Sequence, residues 1–269
     1  MTESPELVTY RLEAAVPGTD TLAAYLTLND PDRRNALSDA LLDQLTSLLQ
    51  RAASDSRVRV VVLTSSHPRV FSSGGNLDAF ADDRATIAKY AGLARFPTLF
   101  RNLTEIDKPV ICAANGDVLA GALGIALACD LVIAKASIRL GCPEINVGAF
   151  PFMISALIFR ATGRLVANEL MMTGLLMSAA EAAAAGLVNK VVPDAEFDDA
   201  LHQWVADIAA KSPLLMGMGK RALAATRDLP LESALDYLQA QLALAFTTED
   251  LAEGVRAFKE KRSPRWRNA

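Results

Sequence analysis

The sequence predicts an α/β protein in which buried parallel strands alternate with helices, followed by a C-terminal region made of helices. Residues 58–64, VRVVVLT, form an almost continuous apolar run, which is typical of a strand covered on both faces of a parallel sheet. Residues 110–114 form a second such run, and a stretch rich in alanine and leucine, a good helix former, follows at 118–129. Later in the chain only helical patterns remain, which favours a core at 1–195 and a helical appendage at 196–269.

Composition narrows the possible functions. The chain has 269 residues, of which 51% are hydrophobic, so it can bury a sizeable core. Its net charge of −4 argues against nucleic acid as the main partner. The longest uncharged apolar run, at 118–129, is shorter than the roughly 20 residues of a membrane span. The acidic start, MTESPE, lacks the pattern of a signal peptide, and we therefore expect a cytoplasmic protein without a membrane partner.

Cysteine and histidine are too few and too scattered for metal or Ser-His-Asp chemistry. Cys112, Cys129 and Cys142 lie in apolar surroundings without a C-x-x-C spacing, which predicts free buried thiols. His67 and His202 are the two histidines, and neither has a partner at the spacing of metal ligands. We therefore expect no metal.

The first elements lead to a glycine-marked turn. Residues 22–28 predict a strand, and Ser38 is a suitable N-cap for the helix that follows. That helix carries a continuous apolar stripe, formed by Leu41, Leu42, Leu45, Leu48, Leu49 and Ala52. The next strand ends in a polar turn at 72–75, and a helical pattern resumes near Leu77 and Phe80.

The middle of the chain contains a second glycine-marked junction between a strand and a helix. A helix is predicted at 93–103, followed by strand 110–114, helix 118–129 and strand 131–134. The glycines of this junction are Gly116, Gly121 and Gly124. Glycine permits a positive φ and lets a ligand approach the backbone, and a helix N-terminus attracts an anion. The alternative is tight packing without a ligand.

Two such junctions can aim two backbone N–H groups at one oxygen atom, which is the geometry of an oxyanion hole. The alternative for Gly74 and Gly75 is an ordinary loop. Glu144 lies among apolar residues, where loss of solvent would raise its pKa towards the range useful for proton transfer. The alternative for Glu144 is a strand-end side chain in solvent. Phe150 and Phe152 are candidates for a pocket wall.

The last part of the chain reads as helices with one more strand. Helices are predicted at 154–162 and 165–174, then a short helix capped by Ser178 and a strand at 187–192. The final helices are predicted at 201–210, 214–227, 231–246 and 248–261. The basic tail at 259–267 is either a solvated charge run or a source of cations for a phosphate.

These motifs, in this order and at these separations, resemble the crotonase superfamily of enoyl-CoA hydratases and isomerases. The resemblance covers nearly the whole chain and rests on RNAL at 34–37, VVLT at 61–64 with 71–77 after it, 108–134, PEI at 143–145, 182–192 and 253–264. It implies a crotonase-like spiral of ββα units. It also implies C-terminal helices that pack in trimers, often paired into hexamers.

The resemblance implies an acyl-CoA thioester as the substrate, with coenzyme A as its carrier and no separate cofactor. By motif position, the N–H groups of Gly75 and Gly121 would hold the thioester carbonyl, and Glu144 would move the proton. The residues expected to contact the substrate or coenzyme A are Arg34, Ala36, Leu37, Ser73, Gly75, Asn76, Leu77, Asp78, Gly121, Phe258 and Lys261. The last two can act across a subunit boundary.

The chain departs from the family at the first of two glutamates that share a water in typical hydratases. Gly124 stands there, while the second glutamate is present as Glu144. A single carboxylate at this position also resembles the Δ3,Δ2-enoyl-CoA isomerases. Phe152 stands where dienoyl-CoA isomerases and 3-hydroxyacyl-CoA hydrolases have an aspartate, which counts against both. Asp117 is a candidate stand-in acid, and the alternative is a surface aspartate in a turn.

The expected function is water addition to a 2-enoyl-CoA, the chemistry of β-oxidation, by a homotrimer or hexamer. Isomerisation of an enoyl-CoA by Glu144 alone is the first alternative. A non-catalytic acyl-CoA-binding subunit is the second, because an acid is missing at Gly124. A dinucleotide-binding domain is the third, but the spacing G-x4-G-x2-G lacks the G-x-G turn that a pyrophosphate needs.

Overall fold

The computed structural model describes residues 5–76 and 85–269. Within these ranges the strands are β1 Val8–Ala14, β2 Leu22–Leu28, β3 Val58–Ser65, β4 Val70–Ser72, β5 Val110–Ala114, β6 Asp117–Leu119, β7 Leu131–Lys135, β8 Arg139–Gly141, β9 Leu176–Ser178 and β10 Lys190–Val192. The helices are α1 Asp39–Ser54, α2 Thr86–Leu93, α3 Arg95–Glu105, α4 Gly121–Ala128, α5 Phe152–Ala161, α6 Arg164–Thr173, α7 Ala179–Ala184, α8 Phe197–Ala209, α9 Pro213–Thr226, α10 Leu231–Ala245 and α11 Glu249–Lys259. A 3-10 turn at Pro143–Val147 carries Glu144.

The strands form two sheets. The larger has the order β1-β2-β3-β5-β7-β10, with β1 antiparallel to β2 and the remaining neighbours parallel. The smaller has the order β4-β6-β8-β9, in which only the β8–β9 pair is antiparallel. The near-continuous valines of β3 suit its place between two parallel neighbours, with both faces covered.

The chain alternates between these sheets. β3, β5 and β7 lie in the larger sheet, and β4, β6 and β8, which follow them in sequence, lie in the smaller sheet. A helix or helical turn follows each such pair of strands. This repeated ββα unit is the spiral of the crotonase fold, and it brings the ends of β4, β6 and β8 side by side.

Each face of the larger sheet has its own apolar core. One core joins the sheet to α1, α3 and α4. The other joins it to α8 through Phe197, Leu201, Val205 and Ala209. The last strand, β10, ends at Val192, while the packing of the larger sheet continues to the end of α8.

The C-terminal helices α10 and α11 both pack on α9, which also contacts α3. Helix α10 leaves several large apolar side chains exposed, including Leu231, Leu235 and Leu242. Within residues 5–76 and 85–269, none of the helices combines the length and apolar character that a bilayer crossing requires.

The structure confirms the predicted strands at 22–28, 58–64, 110–114 and 131–134 to within one residue. The helix predicted from residue 118 is wrong at its start, because Asp117–Leu119 forms β6 and α4 begins at Gly121. The strand predicted at 187–192 is limited to β10. Ser38 caps α1 as predicted, accepting from the N–H of Leu41 at 3.2 Å.

Candidate active site

The first glycine loop follows β4 and runs beside Leu37. Gly74 has a φ of 90°, which glycine adopts without strain, and a Cβ there would lie 2.9 Å from the carbonyl oxygen of Leu119. The N–H of Leu37 donates to the carbonyl oxygen of Gly74 at 2.8 Å. Because that peptide unit is planar and trans, its N–H, which belongs to Gly75, points to the opposite side.

The second loop joins β6 to α4 through a strained alanine. Ala120 has a φ of 55° and a ψ of −131°, an unusual conformation for a residue with a side chain. Its carbonyl oxygen accepts the N–H of Leu123 at 2.9 Å, inside the first turn of α4. The N–H of Gly121 lies on the other side of the same peptide unit and therefore points out of the helix N-terminus, where the helix dipole is positive.

The two loops touch. A Cβ on Gly74 would lie 3.1 Å from the backbone nitrogen of Gly121, and one on Gly121 would lie 3.4 Å from Cδ1 of Leu37. Neither the N–H of Gly75 nor that of Gly121 meets an acceptor among residues 5–76 and 85–269. The structure thus holds two backbone donors on neighbouring loops, at the ends of two parallel strands of the smaller sheet.

The glycines of the second junction serve close packing. At this junction Ala120 has a positive φ, whereas Gly116, Gly121 and Gly124 do not. The expectation that these glycines adopt a positive φ is therefore wrong. A Cβ on Gly116 would lie 2.5 Å from the backbone nitrogen of Val70. The junction therefore needs small residues because neighbouring backbone and side chains approach closely.

Gly124 lies at the most crowded point of this junction. A Cβ there would overlap Cγ2 of Ile154 and lie 2.7 Å from Cζ of Phe100. Both side chains would have to move before any larger residue fits. The space that a glutamate side chain at position 124 would need is therefore occupied by Ile154 and Phe100.

One carboxyl oxygen of Glu144 is shielded from solvent. Its Oε2 atom is buried and meets no hydrogen-bond partner in the described part of the chain. Burial raises the pKa of this carboxyl group, and a bond from its own backbone opposes that shift. Burial, with Glu144 as the smaller cause, also raises the pKa of the neighbouring Cys142 to about 12. The alternative of a solvent-facing strand-end glutamate is wrong.

Asp117 has a structural partner. Its carboxylate accepts the backbone N–H of Arg139 at 2.8 Å and the guanidinium of the same residue at 2.9 Å. It stands at the start of β6, two residues before the end of the strand from which the second loop leaves. This arrangement ties β6 to β8.

The first segment predicted to contact coenzyme A, residues 34–37, lies beside the first glycine loop. Arg34 is exposed and left-handed, with a φ of 53°, and its carbonyl oxygen accepts the N–H of Ser73 at 3.0 Å. Ala36 is half-buried and Leu37 is buried beside Gly75. Asn76 ends the described part of this loop, and the predicted contacts Leu77 and Asp78 lie outside the described residues.

The second predicted segment is at the end of α11. Phe258 is 85% exposed and Lys261 is exposed with a φ of 53°. Helix α11 packs on α9. Near Glu144, the Phe150 and Phe152 rings lie 5.1 Å apart, and Phe152 is 76% exposed.

Sequence reasoning missed Asn35. This residue is fully buried with a φ of 52°, and its side chain binds the backbone of Asp30 and Phe71 and the hydroxyl of Ser65. Asparagine tolerates the left-handed region and bonds locally to backbone, which is the signal that could have identified it. It fixes the segment that carries Arg34 and Leu37.

Among the described residues, no cluster of three or more His, Cys, Asp or Glu side chains could hold a metal. Cys112 and Cys142 are buried, Cys129 is half-buried, and all three are free thiols.

Comparison with known proteins identifies the family. The sequence model described as enoyl-CoA hydratase/isomerase matches residues 19–269. The 2,3-dehydroadipyl-CoA hydratase of Escherichia coli K12 is 36% identical, over 89% of this chain and 92% of its own. The (E)-benzylidenesuccinyl-CoA hydratase of Thauera aromatica is 33% identical, over 91% of this chain and 96% of its own.

Solved structures agree with this assignment. The enoyl-CoA hydratase of Mycobacterium smegmatis superposes with a TM-score of 0.91 at 31% identity, covering 98% of this chain and 99% of its own. The enoyl-CoA hydratase of Bacillus anthracis gives a TM-score of 0.89 at 29% identity, covering 97% and 99%. With its crotonase fold and its family match over most of its length, this chain belongs to the enoyl-CoA hydratase/isomerase family of enzymes, the crotonase superfamily.

Proposed function

We propose that the protein is an enoyl-CoA hydratase, which adds water across the double bond of a 2-enoyl-CoA. The observation that carries this proposal is a pair of backbone donors, at Gly75 and Gly121, that meet no acceptor among residues 5–76 and 85–269, together with the buried, unbonded Oε2 atom of Glu144. Glu144 follows three residues after Gly141, whose carbonyl oxygen accepts the N–H of Ala120 at 2.8 Å, so it lies next in the chain to the loop that carries Gly121. The two relatives compared above are both named as hydratases of CoA esters, which supports the same reaction class.

In this proposal the two N–H groups bind the thioester oxygen. Each donor stabilises the enolate-like transition state by about 3–4 kcal/mol, because the dipoles are already oriented before charge develops. Each donor belongs to a peptide unit whose carbonyl oxygen is already bonded. The carbonyl of Gly74 accepts the N–H of Leu37, and the carbonyl of Ala120 accepts the N–H of Leu123, so both units are fixed in orientation. Little reorganisation is needed when the negative charge appears.

Glu144 performs the proton transfers alone. As the water oxygen attacks C3 of the substrate, the Glu144 carboxylate takes a proton from that water, and the C2=C3 electron pair moves towards the thioester oxygen. The enolate then takes the same proton from Glu144 at C2. A second carboxylate has no place at position 124, because Ile154 and Phe100 fill it.

The test is the substitution Glu144→Gln. We expect kcat on crotonyl-CoA to fall by about 10²–10⁴-fold, the usual contribution of a general acid–base group. Binding of butyryl-CoA, measured by calorimetry, should change by less than about threefold, because the amide keeps the shape of the side chain. Near-normal turnover by this variant would contradict the proposal.

Isomerisation is the second candidate, favoured by the same single carboxylate. In that reaction Glu144 removes a proton at C2 and returns it at C4, and no water is added. The product formed from 3-hexenoyl-CoA, compared with that from crotonyl-CoA, separates the two reactions. A protein that binds both thioesters and converts neither would be the non-catalytic binding subunit.

We also propose that the enzyme works in the cytoplasm as a homotrimer or a hexamer that binds acyl-CoA without a further cofactor. The exposed apolar side chains of α10 support a subunit interface, because patches of this kind rarely remain in contact with water. The exposed Phe258 and Lys261 support a coenzyme A contact. Light scattering of the purified protein measures the assembly directly, and a monomeric mass would contradict it.

A further inference from the structure

A chain of buried hydrogen bonds runs from Asn35 to the first glycine loop. The hydroxyl of Ser72 donates to the backbone carbonyl of Asn35 at 2.7 Å and accepts the N–H of Gly74 at 3.1 Å. The amide of Asn35 donates to the hydroxyl of Ser65 at 2.8 Å and to the carbonyl of Phe71 at 2.9 Å. Asn35 and Ser72 are both fully buried.

This chain uses every polar group that it buries. The Asn35 side chain donates two bonds and accepts one, from the N–H of Asp30 at 2.7 Å. The Ser72 hydroxyl donates one bond and accepts one. A buried network with all its members bonded is rigid, because any displacement leaves a polar group without a partner.

The network fixes Gly74 from one side while Leu37 fixes it from the other. The N–H of Gly74 is held by Ser72, and its carbonyl oxygen is held by the N–H of Leu37 at 2.8 Å. With both ends of Gly74 held, the plane of the peptide unit between Gly74 and Gly75 cannot rotate freely. The N–H of Gly75 belongs to that unit, so its direction depends on Ser72 and, through Ser72, on Asn35.

We infer that Ser72 and Asn35 are positioning residues of the oxyanion hole, which hold the N–H of Gly75 in the direction of the thioester oxygen without touching the substrate. This inference rests on the proposed function of Gly75. A role limited to folding would lower stability alone, whereas a positioning role also weakens the stabilisation of bound negative charge.

The probe is acetoacetyl-CoA, whose enolate absorbs in the near ultraviolet. An oxyanion hole that stabilises negative charge raises the enolate fraction of the bound ligand at a fixed pH. We expect Ser72→Ala to reduce that fraction and to lower kcat on crotonyl-CoA by about 10–100-fold, below the loss for removing a donor outright. KM should stay within about twofold, since ground-state contacts remain.

Ser212→Ala is the matched control. Ser212 is another buried serine, which donates to Asp250 at 2.5 Å and caps α9. We expect both variants to lower Tm, and only Ser72→Ala to change the enolate fraction and kcat. If Ser72→Ala fails to fold, Ser72→Cys replaces it: the thiol is somewhat larger than the hydroxyl and is a weaker donor and acceptor, so a smaller loss of kcat is expected.

Wild-type kcat and enolate fraction in a folded Ser72→Ala or Ser72→Cys variant would overturn the inference. So would an equal loss in Ser212→Ala. A wild-type protein that neither ionises bound acetoacetyl-CoA nor converts crotonyl-CoA would instead overturn the proposed function, and the two failures are therefore distinguishable.

Discussion

Glu144 combines a raised pKa with a role that requires the ionised form. Its ordinary pKa is 4.5, and burial raises it in the folded protein. We therefore expect kcat/KM to rise with pH through one ionisation above 4.5, because only the carboxylate accepts a proton from water. A pH profile of crotonyl-CoA hydration measures this. An activity that is already maximal at pH 4.5 would contradict it.

The same shift predicts the effect of Glu144 on stability. A carboxyl group whose folded pKa lies above its unfolded pKa contributes no penalty at low pH, and stability is lost as pH rises through the folded pKa. The stability of the Glu144→Gln variant relative to the wild type should therefore be greater at pH 8 than at pH 4, which lies below the unfolded pKa. Thermal melts at the two pH values test this, with equal Tm differences as the contrary result.

Gly124 predicts a steric effect that depends on Ile154. A Gly124→Ala substitution places its methyl group against Ile154 and Phe100, and we expect a loss of about 1–3 kcal/mol in unfolding free energy. An Ile154→Ala substitution in the same chain removes the nearer obstacle. The double variant should therefore be less destabilised than the sum of the two single variants.

Chemical denaturation of the four proteins of this cycle gives the coupling energy. Strict additivity would mean that Gly124 and Ile154 do not compete for the same space. If the coupling is present, the pair Gly124→Glu with Ile154→Ala is the route to a second carboxylate, which Gly124→Glu alone does not provide.

At the residue scale the sequence predicts chemistry better than conformation. The two glycine loops and the apolar setting of Glu144 are visible in the linear sequence, whereas the choice of Gly75 and Gly121 as donors comes from the family resemblance. The conformation of Ala120 is not visible there, because its positive φ is imposed by β6, α4 and the contact with Gly74, which come together only in the fold. Asn35 was missed because two of its three side-chain partners, Ser65 and Phe71, lie 30 and 36 residues away along the chain.

At the scale of an element, α11 and the residues after it form one unit. Glu253 accepts two bonds from the guanidinium of Arg262, at 2.6 and 3.1 Å, and the N–H of Arg265 at 2.9 Å. These bonds lower the pKa of Glu253 to about 2, with the Arg262 side chain as the largest cause. The indole of Trp266 donates to the carbonyl of Ala210 at 2.7 Å.

We therefore expect this tail to stay docked as the pH falls through the ordinary glutamate range. A depressed pKa gives stability that is present above the unfolded value and is lost as pH falls towards about 2. Trp266 fluorescence in a Trp204→Phe background reports the release. In Glu253→Gln the tail should already be loosened at pH 7, whereas an unchanged Trp266 signal would show that Glu253 does not hold it.

How well an element can be predicted from the sequence depends on its length. The longer strands β2 and β3 and helix α1 carry enough apolar residues to give a period. The strands of the smaller sheet in the described chain have three residues each, which is too few for alternation to be recognised. Two of these strands, β4 and β6, lead into the glycine loops of the proposed oxyanion hole, so the part of the fold that forms the candidate site gives the weakest sequence signal.

At the scale of the whole molecule, Lys220 joins the C-terminal helices to the core. Its ammonium group, on α9, donates to the carboxylate of Asp130 at 2.6 Å and to the carbonyls of Leu103 and Lys108 at 2.9 and 3.0 Å. The side chain is only 8% exposed, and all three of its donors are used. Burial lowers its pKa, and Asp130 opposes that shift.

We expect Lys220→Met to lower the unfolding free energy by about 2–3 kcal/mol. This is below the range for a fully buried pair, because the Asp130 side chain is 32% exposed and water can partly replace the lysine. Lys211→Met, at an exposed position near the start of the same helix, should change stability by less than about 0.5 kcal/mol. Urea titrations of both variants test this, and equal losses would contradict it.

The division into a core and an oligomerising helical region remains a prediction at this scale. The sequence marks the point where strands end, since periodicity changes there. It does not mark which helix covers which surface: α8 completes the packing of the larger sheet, while α10 presents leucines outward. That distinction depends on three-dimensional neighbours and not on the apolar content of each helix.

The burial of Lys220 has a consequence for an enzyme that handles activated acyl groups. Thioesters transfer their acyl group to accessible neutral amines, and acylation removes the charge of a lysine. Lys259 and Lys261 are exposed to such damage, whereas the Lys220 amine is enclosed with all of its hydrogens donated. During long exposure to acyl-CoA, surface lysines should therefore become acylated, while the bonds of Lys220 between α9 and the core remain intact.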